Sequence, residues 1–399
     1  MNFYLKRSAT TILRLVVFLC LIFFTVNGAA QALPGAACER KKGLVILVDF
    51  PDVSRQISTD FVRDRFHKLD FYVREMSYGR VCTEFEFTEW LQLPDSILHY
   101  SISPANLAVN KSRVAKLIQD AIDAADAKHD FSRYEYMVVY LGAHFREYGM
   151  VGLCGYPGML GWSQETIFKT KSGQVVPGGI AIFTSQAHLG TLFHDLAHVW
   201  GGVRNGKRAV PCLYDHDLQA KYPTRATGFA EALINMGYWD PLSCHFYKLY
   251  EPPPGISSWT KSRLGWLDSG KVRVVDRNQD AEVVLGPLED GAAATLAIKI
   301  PLDESTFYLI ENRQPIGRFD SHLPGKGVLI MYGDDRVAEC RWGRAPVKLM
   351  NANSSVPYLQ GAAFDLPGKA NFRDEKNNIE ITLLEKKGHS YKIRIRKLR

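Results

Sequence analysis

The chain lacks several features that mark common classes of protein. Its 399 residues contain only seven cysteines, no low-complexity tract and no internal repeat. No Gly-x-Ser-x-Gly motif occurs, so nothing in the sequence favours a serine hydrolase. The formal net charge is +7, and three of the positive charges (Lys6, Arg7 and Arg14) belong to an N-terminal leader, which leaves +4. That charge is too small and too scattered to indicate a nucleic acid partner.

Residues 1–32 have the pattern of a secretory signal peptide. Lys6 and Arg7 precede an apolar stretch of twelve residues, Leu15–Val26, and Ala30-Gln31-Ala32 forms a small-x-small cleavage site. The stretch is too short for a comfortable transmembrane helix, although an uncleaved N-terminal anchor is the alternative. The leader therefore predicts an exported protein with no stable membrane insertion after cleavage. Such a protein is secreted to the extracellular space, or periplasmic if its source is a bacterium.

Export changes what the cysteines indicate. Cys20 leaves with the leader, and the six that remain predict up to three disulfides in an oxidising compartment. These six are Cys38, Cys82, Cys154, Cys212, Cys244 and Cys340. Their pairing does not follow from the sequence, but Cys212 and Cys244 flank the motif segments described below. A disulfide at either cysteine would staple that region.

Hydrophobic periodicity divides the remaining chain into two parts. As far as residue 200, apolar runs that predict buried strands alternate with amphipathic helix patterns, which indicates α/β layers. The predicted strands are 43–50, 134–141 and 180–183, the predicted helices are 59–76 and 111–127, and glycine-rich loops are predicted around 152–161 and 173–179. Beyond Asp268, short strand-like runs separated by turn residues predict a β-rich module. We therefore predict a leader (1–32), an α/β or α+β domain (33–268) and a β-rich C-terminal domain (269–399).

The helix-like run 187–202 contains the most informative motif of the chain. His194-Asp195-Leu-Ala-His198 resembles the zinc-protease signature His-Glu-x-x-His, with Asp195 in the position of the glutamate. Residues i and i+4 lie on one helix face, so His194 and His198 would direct two imidazoles at a single cation. The acidic residue beside the first histidine would then act as a general base.

The surroundings of the motif favour a buried helix. The neighbouring positions are apolar, and Gly201 and Gly202 predict the end of the helix one turn after the second histidine. Thr184 or Ser185 is the predicted N-cap. The alternative is that both histidines are ordinary hydrogen-bonded residues of a core or surface helix.

Eight ordered segments carry a resemblance that covers most of the chain after the leader. In this sequence they are Leu47–Asp52, Tyr72–Arg80, His194–Gly201, Pro211–Asp215, Gly237–Ser243, Lys261–Leu267, Tyr308–Gln314 and Leu323–Ile330. Their motifs include Ser-Tyr-Gly at a helix end, Gly-x-Trp-Asp, Leu-Gly-Trp, Glu-Asn-Arg and Leu-Pro-Gly-x-Gly. Together these segments resemble the immune inhibitor A-type zinc metallopeptidase family. The resemblance implies a zincin- or metzincin-like catalytic domain followed by a β-rich C-terminal module.

The same resemblance implies a bound zinc ion and hydrolysis of peptide bonds. His194 and His198 would hold the metal, and Asp195 would take a proton from the attacking water. Because aspartate is one methylene shorter than glutamate, we expect slow turnover. Leu242 stands where the family has the methionine that forms the floor beneath the metal, a change that conserves volume. The implied partner is a protein or peptide substrate.

The third zinc ligand departs from the family pattern. The extended motif places it six residues after the second histidine, but Arg204 occupies that position and cannot bind zinc. The resemblance indicates about seven extra residues, 204–210, and these place Cys212 where the family has an acidic ligand. Asp215 and His216 are the alternatives, and a disulfide is the competing role of Cys212.

Two functions follow from this pattern. One is a secreted zinc-dependent endopeptidase, slowed by the shorter base. The other is a catalytically inactive secreted relative that retains the fold as a binding protein. An exported peptidase is also compatible with a structural Ca²⁺, for which Asp334-Asp335 and Asp215–Asp217 offer carboxylates, although both pairs fit surface turns equally well.

Overall fold

A computed structural model describes residues 38–162, 168–221 and 226–398. The predicted signal peptide, with its cleavage site and Cys20, lies outside these ranges. The fold is mixed α/β with several sheets, since about 24% of the chain is helical and 30% is in strands. This confirms the mixed α/β class. Within the described ranges, no helix has the length and apolar content that crossing a membrane requires.

A five-stranded sheet forms the centre of the first half. Its strands are β1 (Glu39–Asp49), β2 (Val81–Gln92), β3 (Tyr136–Leu141), β4 (Gly152–Tyr156) and β5 (Ile180–Phe183). They lie in the order β2-β1-β3-β5-β4, and only β4, at one edge, is antiparallel to its neighbour. β1, β3 and β5 lie where strands are predicted. β2 is not predicted from the sequence, and β4 replaces part of a predicted glycine-rich loop.

Helices cover both faces of this sheet. α1 and α4 lie on one face and α2 lies on the other. The described α-helices are α1 (Thr59–Met76), α2 (Lys111–Ala125), α3 (Phe145–Tyr148), α4 (Leu189–Gly201), α5 (His216–Lys221), α6 (Ala226–Glu231) and α7 (Ser258–Arg263). Side chains of β1 alternate between the faces: Val45 and Leu47 share a hydrophobic cluster with α1 and α4, whereas Leu44 and Ile46 share one with α2. The predicted helices 59–76 and 111–127 correspond to α1 and α2.

The second half of the described chain consists mainly of strands. After the short β6 (Val203–Arg204) and β7 (Lys207–Arg208) come β8 (Val272–Val274), β9 (Ala281–Leu285), β10 (Ala297–Pro301), β11 (Thr306–Arg313), β12 (Gly327–Asp334), β13 (Val347–Leu349), β14 (Asn371–Asp374), β15 (Ile379–Lys387) and β16 (Ser390–Lys397). Two sheets, β13-β12-β11-β10-β8 and β14-β15-β16-β9, enclose a common core. Ile298, Ile310 and Ile330 of one sheet belong to the same cluster as Ile381 and Ile393 of the other.

The first of these sheets also packs against the first half of the chain. Leu309 and Leu329, whose neighbours along the strands face the second sheet, belong to the same hydrophobic cluster as Phe193 of α4. Residues 36–399 accordingly form one compact unit. The domain boundary near residue 268 stays a prediction, and a continuous core runs across it.

Arg313, at the end of β11, is a fully buried cation whose donors are all directed at protein acceptors. It bonds both carboxylate oxygens of Asp320 at 2.9 and 2.7 Å and a carboxylate oxygen of Glu311 at 3.1 Å. It also donates to the backbone carbonyls of Trp239 at 3.1 Å and Gly255 at 2.8 Å. Since a buried charge is tolerated only when it is paired and hydrogen-bonded, these four segments are held in a fixed arrangement.

The cysteines form fewer disulfides than export alone suggests. Cys38 pairs with Cys82, which joins the start of β1 to the neighbouring β2. Among the described residues, the remaining cysteines are unpaired and buried: Cys154, Cys212, Cys244 and Cys340. The prediction of a disulfide at Cys212 or Cys244 is therefore wrong. Cys212 contacts two histidines instead, and the Cys244 thiol donates to the carbonyl of Phe246 at 3.2 Å.

Replacing Arg313 with methionine should lower the free energy of unfolding by about 3–5 kcal/mol, because Glu311 and Asp320 lose their cation in a dry interior. Denaturant titration of the variant and the wild type measures the loss. The matched control is Arg394→Met, which removes the exposed ion pair with Glu282 and should leave the unfolding midpoint nearly unchanged. Equal midpoints for the two variants would contradict the prediction.

Candidate metal centre

The candidate site lies on α4, whose N-terminus is capped by an unexpected residue. The backbone N–H of Gly190 donates to His188 Nδ1 at 3.0 Å, so the predicted caps Thr184 and Ser185 are wrong. A side chain at position 190 is excluded, because a Cβ would lie 1.7 Å from the carbonyl oxygen of His245. The first turn of the helix is thus packed tightly against the segment that contains His245.

His194 and His198 lie one turn apart on α4 and are almost completely buried. His194 Nδ1 lies 2.9 Å from the carbonyl oxygen of Pro241, and His198 Nδ1 lies 2.6 Å from that of Val210. A carbonyl oxygen can only accept, so each Nδ1 donates the hydrogen of that bond, and Nε2 is the nitrogen that faces Cys212. A backbone acceptor behind the ring is a common way to orient a metal-binding histidine.

Cys212 completes the group, and a hairpin places it there. β6 and β7 pair across a turn at Asn205 and Gly206, both with positive φ (51° and 69°), so residues 204–210 fold back on themselves before Cys212. The Cys212 Sγ lies 3.4 Å from the Nε2 atoms of both His194 and His198. The three ligand atoms lie within 4.8 Å of one another and could hold a metal ion.

The two alternative ligands, Asp215 and His216, do not belong to the group of converging donors in the described ranges. Asp215 accepts backbone N–H groups of Asp217, Leu218 and Gly343, which satisfies its carboxylate inside the protein. His216 lies 3.4 Å from a Glu339 oxygen. Burial opposes a charge on His216, but Cys212 and Glu339 raise its pKa to about 9.

The carboxylates considered for calcium do not converge either. In the described ranges, the one group of three or more candidate ligands is His194, His198 and Cys212. Asp217 forms an ion pair with Arg341, and Asp334 forms one with Arg336. Asp215 and Asp217 are buried, so the surface-turn alternative is wrong for that pair, whereas the Asp334–Arg336 pair is local.

Positive charge surrounds the Cys212 thiol. Arg208 Nη2 lies 4.0 Å from the sulfur, and the same guanidinium bonds both carboxylate oxygens of Glu339 at 2.9 and 2.6 Å. Burial disfavours a thiolate, yet His198, His194 and Arg208 hold the pKa of Cys212 well below its usual range. The thiolate, which is the metal-binding form of cysteine, is therefore favoured at this position.

Asp195 lies beside the group with its carboxylate against the edge strand β4. A Cβ added at Gly152 would come within 2.9 Å of Asp195 Oδ2, so glycine leaves the space that this carboxylate fills. Oδ2 is buried and has no hydrogen-bond partner in the described part of the chain. Burial raises the pKa of Asp195 to about 7. The carboxyl group is thus able to gain and lose a proton near neutral pH.

The turn behind His194 is held by a buried aspartate. Asp240 Oδ2 accepts from the backbone N–H of Ser257 at 2.9 Å and from the hydroxyls of Ser257 and Thr260 at 2.6 and 2.7 Å. Asp240 Oδ1 accepts the N–H of Leu242 at 2.8 Å. Leu242 is fully buried in the same turn as Pro241, whose carbonyl orients His194. The role of Leu242 as a floor beneath the metal stays a prediction.

The three ligands and Asp195 open into a cleft of about 1170 Å³. Residues of α1, the 104–111 segment, β4, α4 and the 245–250 segment line it. The volume of the cleft is larger than the roughly 300–1,000 Å³ that is typical of small-molecule sites. It is large enough for several residues of a polypeptide.

Comparison with known proteins returns no matching family model and no significantly similar curated protein.

Sequence patterns find part of this site. The spacing of His194 and His198 identifies both, and the resemblance identifies Cys212. Arg208 and Glu339 were missed, because they are 131 positions apart and only the fold pairs them. No pattern of spacing or composition marks such a pair.

Purified chain supplied with Zn²⁺ should carry about one metal ion, because three converging protein donors suffice to hold one zinc ion with water in the fourth position. His198→Ala should reduce the content to nearly none, as measured by inductively coupled plasma mass spectrometry. His216→Gln should keep the metal, since His216 is not a ligand in this arrangement. Loss of metal in His216→Gln with retention in a Cys212→Ser variant would contradict the ligand set.

Proposed function

We propose that this chain is a secreted zinc-dependent endopeptidase of the type that the eight sequence landmarks resemble, with a zincin-like catalytic half. The observation that carries the proposal is the convergence of His194 Nε2, His198 Nε2 and Cys212 Sγ at a cleft of peptide size. Asp195 lies next to this group, in the sequence position and the cleft wall where a general base would act.

Zinc suits the donor set better than other common cations. Two imidazoles and one thiolate are typical zinc ligands, whereas magnesium and calcium prefer oxygen. Tetrahedral bonds of usual length would separate a nitrogen and a sulfur donor by about 3.6 Å. The observed Nε2–Sγ distances of 3.4 Å are close to this value.

Hydrolysis would divide between the metal and the chain's own groups. When bound, zinc supplies Lewis acidity, which polarises a peptide carbonyl and makes water easier to deprotonate. Asp195 would receive the proton at Oδ2, which no other described group engages, and return it to the leaving amine.

Contacts among the landmarks support the proposed relationship. Lys261 Nζ donates to the carbonyl of Met76 at 2.7 Å, which joins the Leu-Gly-Trp segment to the Ser-Tyr-Gly segment. Arg313 of the Glu-Asn-Arg segment bonds the carbonyl of Trp239 in the Gly-x-Trp-Asp turn. Segments up to 185 positions apart thus form one connected structure around the cleft.

The predicted leader and the Cys38–Cys82 disulfide favour export. A disulfide is compatible with an extracellular or periplasmic location. The unpaired Cys212 does not oppose this, because a thiolate that is committed to zinc is protected from pairing with another cysteine.

The alternative is an inactive secreted relative that binds its partner without cleaving it. The shorter Asp195 and its position against Gly152 favour this alternative, because both keep the carboxylate near the β4 backbone. Zinc content does not separate the two functions, since either protein would hold the metal. Turnover does.

Asp195→Asn should lower kcat/KM on a pool of internally quenched peptides by about 10²–10⁴-fold, the usual contribution of a general base. Asp195→Glu should raise kcat/KM, because the added methylene carries the carboxylate out from Gly152 toward the cleft. Both variants need measured zinc content equal to that of the wild type. Turnover that is unchanged in Asp195→Asn, or absent from the zinc-loaded wild type, would favour the inactive relative.

A further inference from the structure

We propose that Arg65 makes the cleft selective for peptides in which an acidic side chain lies near a bulky apolar one. The inference rests on the proposed function, in that it takes the cleft to be a peptide-binding site. Arg65 lies on α1, in a different part of the cleft from the candidate metal ligands on α4 and at Cys212.

Arg65 is a cation without a counter-charge. Its side chain lines the cleft, and its Nε is buried with no hydrogen-bond acceptor. In the described part of the chain it forms no ion pair, and its guanidinium carbon lies 5.3 Å from the centroid of the Phe61 ring. Its charge also acts on His188 and Tyr140. The guanidinium lacks a carboxylate partner among the described residues, so its accessible N–H groups can form charge-assisted hydrogen bonds to a carboxylate that enters the cleft.

More positive than negative side chains line the cleft. Among its described lining residues, the charged ones are Arg65, Lys111, Asp195, Arg208, Glu339 and Arg341. Arg208 is paired with Glu339, and Arg341 is paired with Asp217. Arg65 and Lys111 have no acidic partner. The free positive charges thus favour an anionic group on the ligand, and Arg65 is the one with a buried donor.

Apolar surface lies directly beside the guanidinium. Phe61 and Arg65 are four residues apart on α1, so they share one helix face, and Phe61 is 40% exposed. Leu249 and Tyr250, 52% and 96% exposed, also line the cleft. A ligand that matches this surface carries an apolar side chain next to its carboxylate. An extended peptide provides both, because neighbouring side chains are only a few ångströms apart.

The helix also offers a matched control. Arg63 lies two positions earlier on α1, carries the same charge and stacks on an aromatic ring, Phe87, at 4.8 Å. Unlike Arg65, Arg63 does not line the cleft. Any effect of general charge or of helix stability would appear equally in Arg63→Gln and Arg65→Gln.

The test measures binding rather than turnover. Zinc-loaded full chain carrying Asp195→Asn is titrated against fluorescein-labelled nonapeptides of alanine and leucine, with a single glutamate moved along the sequence and a glutamine twin for each peptide. Fluorescence anisotropy gives each dissociation constant. At one or more positions the glutamate peptide should bind about tenfold more tightly than its twin, as a charge-assisted hydrogen bond allows. Arg65→Gln should abolish this preference, and Arg63→Gln should retain it.

Three outcomes would overturn the inference: no position prefers glutamate, Arg63→Gln removes the preference as fully as Arg65→Gln does, or none of the peptides binds. Failure of the proposed function would look different. If the wild type binds glutamate peptides through Arg65 but cleaves none of them, then the hydrolase is overturned and the selectivity stands.

Discussion

The buried guanidinium of Arg313 is the constraint that connects the two halves of the structure. Removed from water, it needs an acceptor for each of its donors, and it finds them in Asp320, Glu311 and the carbonyls of Trp239 and Gly255. Trp239 directly precedes the turn that contains Asp240 and Pro241. The position of the C-terminal sheet and the position of this turn are therefore set by the same charge.

The same turn also orients one member of the candidate metal group, which consists of His194, His198 and Cys212. Asp240 accepts hydrogen bonds from Ser257 and Thr260, and the adjacent Pro241 carbonyl accepts one from His194 Nδ1. Each donor of the metal group is thus supported from a different segment: His194 by this turn, His198 by the Val210 carbonyl, and the Cys212 thiol by the charge of Arg208. Such support fixes the direction of the lone pairs before any ion binds. The β-rich half contributes to this support through Arg313, which bonds Trp239, and through Glu339, which pairs with Arg208.

Much of the architecture was readable from local pattern. The helix 59–76 and the strand 180–183 have the predicted bounds because an amphipathic period and a continuous apolar run depend on few distant contacts. β2 was missed although the alternation in Thr83–Trp90 is typical of a half-exposed strand. β4 was missed because glycines suggested a loop, whereas pairing with β5 holds this segment extended. The cap of α4 was wrong because a histidine ring replaced the usual hydroxyl or carboxylate.

The sequence by itself determined the helix that carries His194, Asp195 and His198, since their spacing and apolar neighbours are local properties. Only the tertiary structure decided the third member of the group. Cys212, Asp215 and His216 lie within five positions, and no local rule chooses among them. The hairpin at residues 204–208 directs the thiol toward the histidines, while backbone N–H groups engage Asp215 and Glu339 engages His216. The choice depends on contacts across up to 128 positions, and the chain makes these only once it is folded.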